Sequence, residues 1–141
     1  MTAKSTELAS DLVQVQSSAA PVPVGPYSQA IVHQGLVWCS GQIPLDPSEG
    51  KVVDGGIEAQ AGQVLANLRS VLEAAGSSMQ EVLRVGIYLT DLSLFPRLNA
   101  VYARHFPQSP QPARSTVGVA ALPLGVLVEM DAVAALGRGP V

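Results

Sequence analysis

The sequence predicts an α+β domain in which two helices lie against one face of a sheet. Two segments, 57–75 and 93–106, carry apolar residues at helical spacing, and six shorter apolar segments read as strands. Their order, β-ββ-α-β-α-ββ, gives both helices a single sheet to cover. At 141 residues the chain is long enough for one domain whose core needs neither disulfide nor metal. Residues 1–10 are polar and read as a flexible extension, so the folded domain is expected over 11–141.

Each element has its own signal. Asp11–Gln16 alternates in part and reads as an edge strand. The Ala-Pro-Val-Pro-Val-Gly-Pro run at 20–26 must be extended, because proline fixes its own φ and biases the preceding residue toward β. Tyr27–Val32 and Leu36–Ser40 read as a hairpin turned at His33-Gln34-Gly35, and the Pro- and Gly-rich stretch Gly41–Gly56 as loop. From Ile57 to Ala75, apolar residues recur every three or four positions until Gly76 supplies the stop. Ser78-Met-Gln-Glu81 matches a capping box for a short turn.

Val82–Leu89 reads as a strand with Leu83, Val85, Ile87 and Leu89 on one face. Ser93 is placed to cap a second helix through Phe106, with Pro96 tolerated in its first turn. Beyond Pro107, Pro110 and Pro112, segments Ala113–Val119 and Val126–Ala135 read as a closing strand pair around Leu122-Pro-Leu-Gly125.

Composition adds an expectation about assembly. Only 13% of residues are charged, about half the roughly 25% usual in a soluble domain. The last strands are apolar on both sides, Val126, Val128 and Met130 against Leu127 and Val133. Both observations predict surface buried against further copies of the chain. Net charge is −3, and the eight basic residues are scattered singly, so no basic stripe exists to hold nucleic acid. The uncharged stretch near the end of the chain, Ser115–Val128, contains Pro123 and falls short of the roughly 20 residues that cross a bilayer. MTAKSTELASD has no apolar signal core, so no membrane partner and a cytoplasmic location are expected. The single cysteine, Cys39, reads as a small buried residue, and His33 and His105 do not have metal-ligand spacing.

Two charged residues stand on strands otherwise almost free of charge. Arg114 either reaches solvent or pairs with Asp131, or else it presents a guanidinium fork to a carboxylate ligand. Glu129 is either half of a buried ion pair or a site residue. If the last two strands form a hairpin, Arg114, Thr116, Gly118, Glu129 and Asp131 project from one face. Tyr27, Ser28, Ser40 and Gly41 by themselves are ordinary turn residues.

Seven segments taken together carry more. Gly25-Pro-Tyr-Ser-Gln-Ala30, Ser40-Gly-Gln-Ile-Pro-Leu-Asp46, Asn67-Leu with Val71-Leu-Glu-Ala-Ala-Gly76, Tyr88-Leu-Thr-Asp91, Leu98-Asn-Ala-Val-Tyr102, Pro112-Ala-Arg-Ser-Thr116 and Val128-Glu129 resemble the RidA family of reactive-intermediate deaminases, also called YjgF-type proteins. The resemblance runs from about Leu12 to Ala135, in order. It implies a chorismate-mutase-like fold, with a six-stranded mixed sheet and two helices on one face. It also implies a homotrimer with clefts between neighbouring subunits. The implied reaction is cofactor-free hydrolysis of 2-imino acids or their enamine tautomers, such as 2-iminobutanoate and 2-iminopropanoate, to 2-oxo acids and ammonia.

By position, the resemblance makes Arg114 the residue that holds the substrate carboxylate and Glu129 the acid that positions or activates water. Tyr27, Ser40, the Gly41 backbone and Asn99 are implied to line the cleft, and Thr116 stands where some members carry cysteine. Two other functions are carried alongside: a regulatory trimer that binds small carboxylates without catalysis, and a ribonuclease or translation inhibitor. The acidic pI and the lack of paired histidines speak against the last.

Overall fold

The computed structural model describes residues 11–137, so the expected extension at 1–10 lies outside the described residues. Six strands, β1 (Val13–Val15), β2 (Ala30–His33), β3 (Leu36–Gln42), β4 (Val82–Leu89), β5 (Ala113–Gly118) and β6 (Val128–Ala135), form one mixed sheet. Two helices, α1 (Ile57–Ala74) and α2 (Phe95–His105), complete the fold, and the strand order is β1-β2-β3-β6-β4-β5. The expected class, strand count and helix count all hold.

Helix α1 buries Ile57, Ala61, Val64, Leu65, Leu68, Val71 and Leu72 against the sheet. It ends as its glycine predicts. Gly76 adopts φ +85°, while Gly76 N–H donates to the Glu73 carbonyl and Ser77 N–H to that of Leu72, closing a Schellman motif. Helix α2 contributes Leu98, Val101 and Tyr102 to the same core. Among the described residues, no helix is long and apolar enough to cross a membrane.

Five local expectations need correction. The hairpin turns on two residues, Gln34 and Gly35, both at positive φ, and His33 pairs with Leu36 inside the ladder. Tyr27 precedes the strand instead of starting it. The expected short turn is present as a 3-10 turn at Met79–Glu81, but Ser78 makes no side-chain cap to it. The second helix is entered through Asp91, whose carboxylate accepts from Ser93 N–H at 2.9 Å; Leu92–Leu94 make a 3-10 turn before α2 begins. The register of β4 shifts between Val82 and Arg84, so Leu83 is turned outward while Val85, Ile87 and Leu89 stay buried.

The largest correction is at the end of the chain, where β5 and β6 are not a hairpin. β6 inserts between β3 and β4, antiparallel to both, and β5 runs parallel to β4 at the edge. The composition of the two strands explains the order. β6 is apolar and small-residue rich, suited to a central position with neighbours on both sides. β5, Ala-Arg-Ser-Thr-Val-Gly, is exposed along most of its length, as an edge strand tolerates.

This order divides the expected site residues between two faces. Val85 pairs with Arg114 and Ala132, and Ile87 with Thr116 and Met130. Arg114, Thr116 and Gly118 therefore share the helix-covered face, while Glu129 and Asp131 project from the opposite, open face with Tyr88. The open face also displays Trp38, Leu83 and Val117, each about half exposed. The expected apolar character of both faces is present.

Candidate active site

The first group of site residues forms around an irregularity in β3. Cys39 pairs with Ala132 and Gln42 with Met130, so β3 carries one extra residue at Ser40-Gly41. Such bulges re-aim a strand locally. Here the bulge receives the Glu129 carboxylate: a Cβ added at Gly41 would stand 2.9 Å from Glu129 Cδ. Only glycine lets the carboxyl group lie on the β3 backbone.

The Ser40 hydroxyl donates to the Ser28 carbonyl at 2.6 Å and Ser40 N–H to Gln29 O at 3.0 Å, tying the Tyr27 segment to the bulge. Buried Gln29 holds the preceding chain through its amide, which donates to Pro21 O at 2.9 Å and to Ser17 O at 3.1 Å. The result is a cavity of about 440 Å³ lined by Tyr27, Ser40, Gly41 and Glu129 on its polar side and by Val22, Val24 and Leu45 on its apolar side. Glu129 has its carboxyl group raised above the ordinary glutamate value, first by burial and then by the negative charge of Asp131. Within one chain, burial outweighs any arginine, because Arg114 lies on the other face.

The second group surrounds Arg114. One guanidinium nitrogen, Nη1, donates to Asn99 Oδ1 at 2.8 Å. The fork lies over two rings of α2, 5.2 Å from the Phe95 centroid and 4.8 Å from that of Tyr102. A planar cation held on two aromatic faces and one amide is fixed in direction without being neutralised. It forms no ion pair with Asp131 among the described residues, since the two side chains lie on opposite faces of the sheet. Arg114, Asn99 and Tyr102 line a second, open cavity of about 460 Å³.

The predicted residues thus fall into two half-sites. Tyr27, Ser40, Gly41 and Glu129 stand together, as do Arg114 and Asn99, and Thr116 is half buried on the face of Arg114. Sequence reasoning missed the aromatic bed of Arg114, since Tyr102 and the helix stripe read simply as core. It also missed Tyr88, whose hydroxyl donates to Asp131 Oδ2 at 2.9 Å, two residues from Glu129. Alternation along β4 and β6 could have placed both on one face, but only the true strand order makes them neighbours. Cys39 is buried as expected, and its thiol is pushed up to about 12 by burial and by Asp131.

A fold with two helices over a six-stranded sheet, an arginine fork on an edge strand and a half-buried glutamate on the central strand defines the class to which comparisons with known proteins also lead. The family described as endoribonuclease L-PSP matches residues 17–136. A RutC family protein of Pyrococcus horikoshii is 48% identical over 115 residues, covering 82% of this chain and 90% of that protein. Reactive Intermediate Deaminase A of Arabidopsis thaliana, a chloroplastic protein, is 44% identical over 122 residues, 86% of this chain and 65% of its own. The crystal structure of Escherichia coli TdcF with bound serine superposes with a TM-score of 0.84 at 34% identity, covering 89% of this chain and 99% of that one. The chain belongs to the RidA/YjgF family, which includes reactive intermediate deaminases.

Proposed function

We propose that this protein hydrolyses reactive 2-imino acids, among them 2-iminobutanoate and 2-iminopropanoate, to 2-oxo acids and ammonia. The observation that carries the reading is the pair of half-sites, an anion-binding fork at Arg114 and a proton-exchanging carboxylate at Glu129. Its nearest support outside the chain is the relative named Reactive Intermediate Deaminase A.

The two halves suit the chemistry. A protonated imine is already electrophilic, so the protein needs only to hold it and deliver water. Arg114 binds the substrate carboxylate in bidentate fashion, and the Tyr27–Ser40–Gly41 wall confines the rest. Glu129 takes a proton as water oxygen bonds to C2, giving a carbinolamine. It returns the proton to the amine nitrogen. As the C–N bond breaks, the carbinolamine hydroxyl gives its proton back to Glu129, so ammonia leaves and the 2-oxo acid remains, and the proton passes on to ammonia or solvent. Proton transfers of this kind contribute about 10²–10⁴-fold. No step calls for a cofactor.

Because one chain keeps Arg114 and Glu129 on opposite faces, we assign the complete site to a boundary between copies, within a homotrimer. Exposed Trp38, Leu83 and Val117 on the open sheet face supply apolar surface for that association. Arg114→Ala should abolish the acceleration of 2-oxo acid formation in an assay coupled to a serine or threonine dehydratase while the oligomer persists. Full activity of that variant overturns the carboxylate role.

The description of the matching family favours testing a second reading, RNA cleavage. The two histidines have other partners, His33 at the end of β2 facing Asp11 and His105 at the end of α2 against the Val101 carbonyl, and do not form an acid–base pair. Cleavage that survives Arg114→Ala and rigorous repurification would establish it.

A further inference from the structure

On the open face of the sheet, Glu129 does not stand alone. Tyr88 is its cross-strand partner on β4, and Asp131 follows two residues later on the same face of β6. The Tyr88 hydroxyl lies over Gly86 and donates to Asp131 Oδ2 at 2.9 Å. Gly86, the cross-strand partner of Asp131, makes this possible. A Cβ there would stand 3.2 Å from Tyr88 Oη and 3.4 Å from Asp131 Cγ, in the space these side chains occupy.

We propose that Tyr88 and Asp131 are a positioning pair for Glu129: the hydroxyl fixes the Asp131 carboxylate so that a second negative charge stands beside Glu129 and makes it a proton carrier instead of a permanent anion. The proposal rests on the imine-hydrolysis reading and says how that site obtains its base. A carboxylate that must accept a proton from water and then return it works best when it titrates near the working pH. Burial takes Glu129 part of the way, and the adjacent negative charge takes it further. Tyr88 keeps its own proton, since its hydroxyl is raised above the ordinary tyrosine value chiefly by the bond to Asp131 and then by burial.

Among the described residues, the charged and titratable surroundings of Glu129 are few. They are Asp131 on its own strand, Tyr88 and Arg84 on β4, Cys39 on β3, Tyr27 beside the cavity and, across the proposed boundary, Arg114 of a neighbouring copy. Arg84 is held by the Ser115 hydroxyl, to which its Nη2 donates at 3.0 Å. Within the chain, Asp131 is the group whose charge acts on Glu129.

The test uses the intact oligomer with ¹³C-labelled glutamate, following the side-chain carboxyl resonance that disappears in Glu129→Gln. Asp131→Asn should move the titration midpoint of this resonance down by roughly half a pH unit to one unit, as loss of a like charge requires. The acid limb of kcat/KM should move with it, and kcat should fall at neutral pH with KM within about twofold. Tyr88→Phe keeps the ring and should reproduce part of the shift, and Asp131→Asn/Tyr88→Phe should be no worse than Asp131→Asn alone. Gly86→Ala, which crowds the pair without touching a charge, should resemble Tyr88→Phe. A Glu129 midpoint that is unchanged in Asp131→Asn overturns the proposal whatever the activity. Additive losses in the double variant do the same. Wild-type turnover of imines decides the functional reading separately, so the two failures are distinguishable.

Discussion

Arg114 and Glu129 lie on opposite faces of one sheet, on strands separated only by β4. Arg114 is bedded on Phe95, Tyr102 and Asn99 of α2, and Glu129 is seated in the Ser40-Gly41 bulge. Neither can reach the other within a chain, because side chains of a strand cannot change face without a slip in register.

Complementation tests the shared site. Arg114→Ala and Glu129→Gln should each be inactive as homo-oligomers. Mixed at equal amounts under conditions that allow exchange, they should regain roughly a quarter of wild-type activity, the chance that an intact Arg114 meets an intact Glu129 at a given boundary. No recovery, with subunit mixing confirmed by mass spectrometry, shows that the site is not built this way.

Gly41→Ala tests the seat of Glu129. The added Cβ would be 2.9 Å from Glu129 Cδ, so the carboxylate must swing out of the bulge. The expectation is a fall in kcat/KM of about 10²-fold, as misplacement of a catalytic group by about an ångström produces. Melting temperature should fall far less than activity, because the displaced group is only partly buried. Equal activity with an unchanged Glu129 position in a crystal structure of the variant counts against the role of the bulge.

The open face should answer to charge. Trp38→Glu and Val117→Lys place charges where about half of each apolar side chain is solvent-exposed in the single chain. Light scattering should show dissociation to smaller species, with imine hydrolysis lost in parallel. A chain that remains oligomeric with both substitutions must associate through another surface.

Stability should depend on pH through Glu129, most clearly in the Arg114→Ala background, where no guanidinium of a neighbour can offset burial. The folded-state carboxyl is raised, so the native form binds its proton more tightly than the unfolded chain. Stability from this group is therefore full below the unfolded value, near 4.3, and is lost as pH rises through the higher folded value. Arg114→Ala/Glu129→Gln should melt higher than Arg114→Ala at pH 8 and nearly the same at pH 4. Identical melting temperatures at both pH values would contradict the direction of the shift.

How much of this was legible in the sequence differs by element. Helix α1 and its glycine stop follow from local chemistry, since a 3.6-residue apolar period and a left-handed terminus are short-range properties. The second helix also follows from its apolar spacing, but the sequence points to Ser93 as its cap where Asp91 accepts the bond from Ser93 N–H, because two neighbouring residues can offer the same contact. Strict alternation puts Leu83 on one face with Val85, Ile87 and Leu89, and one bulge in β4 turns it out.

By itself the sequence determined the class of fold, the six strands and two helices, and the two charged residues, Arg114 and Glu129, conspicuous on strands almost bare of charge. Tertiary structure alone decided which strands are neighbours. Pairing of β5 and β6 looked natural because they are consecutive, yet β6 took the centre of the sheet and left β5 at the edge. Strand order is set by burial on both faces and by contacts far apart in the chain, which no local pattern records. That one decision separated Arg114 from Glu129 and brought Tyr88 to Asp131.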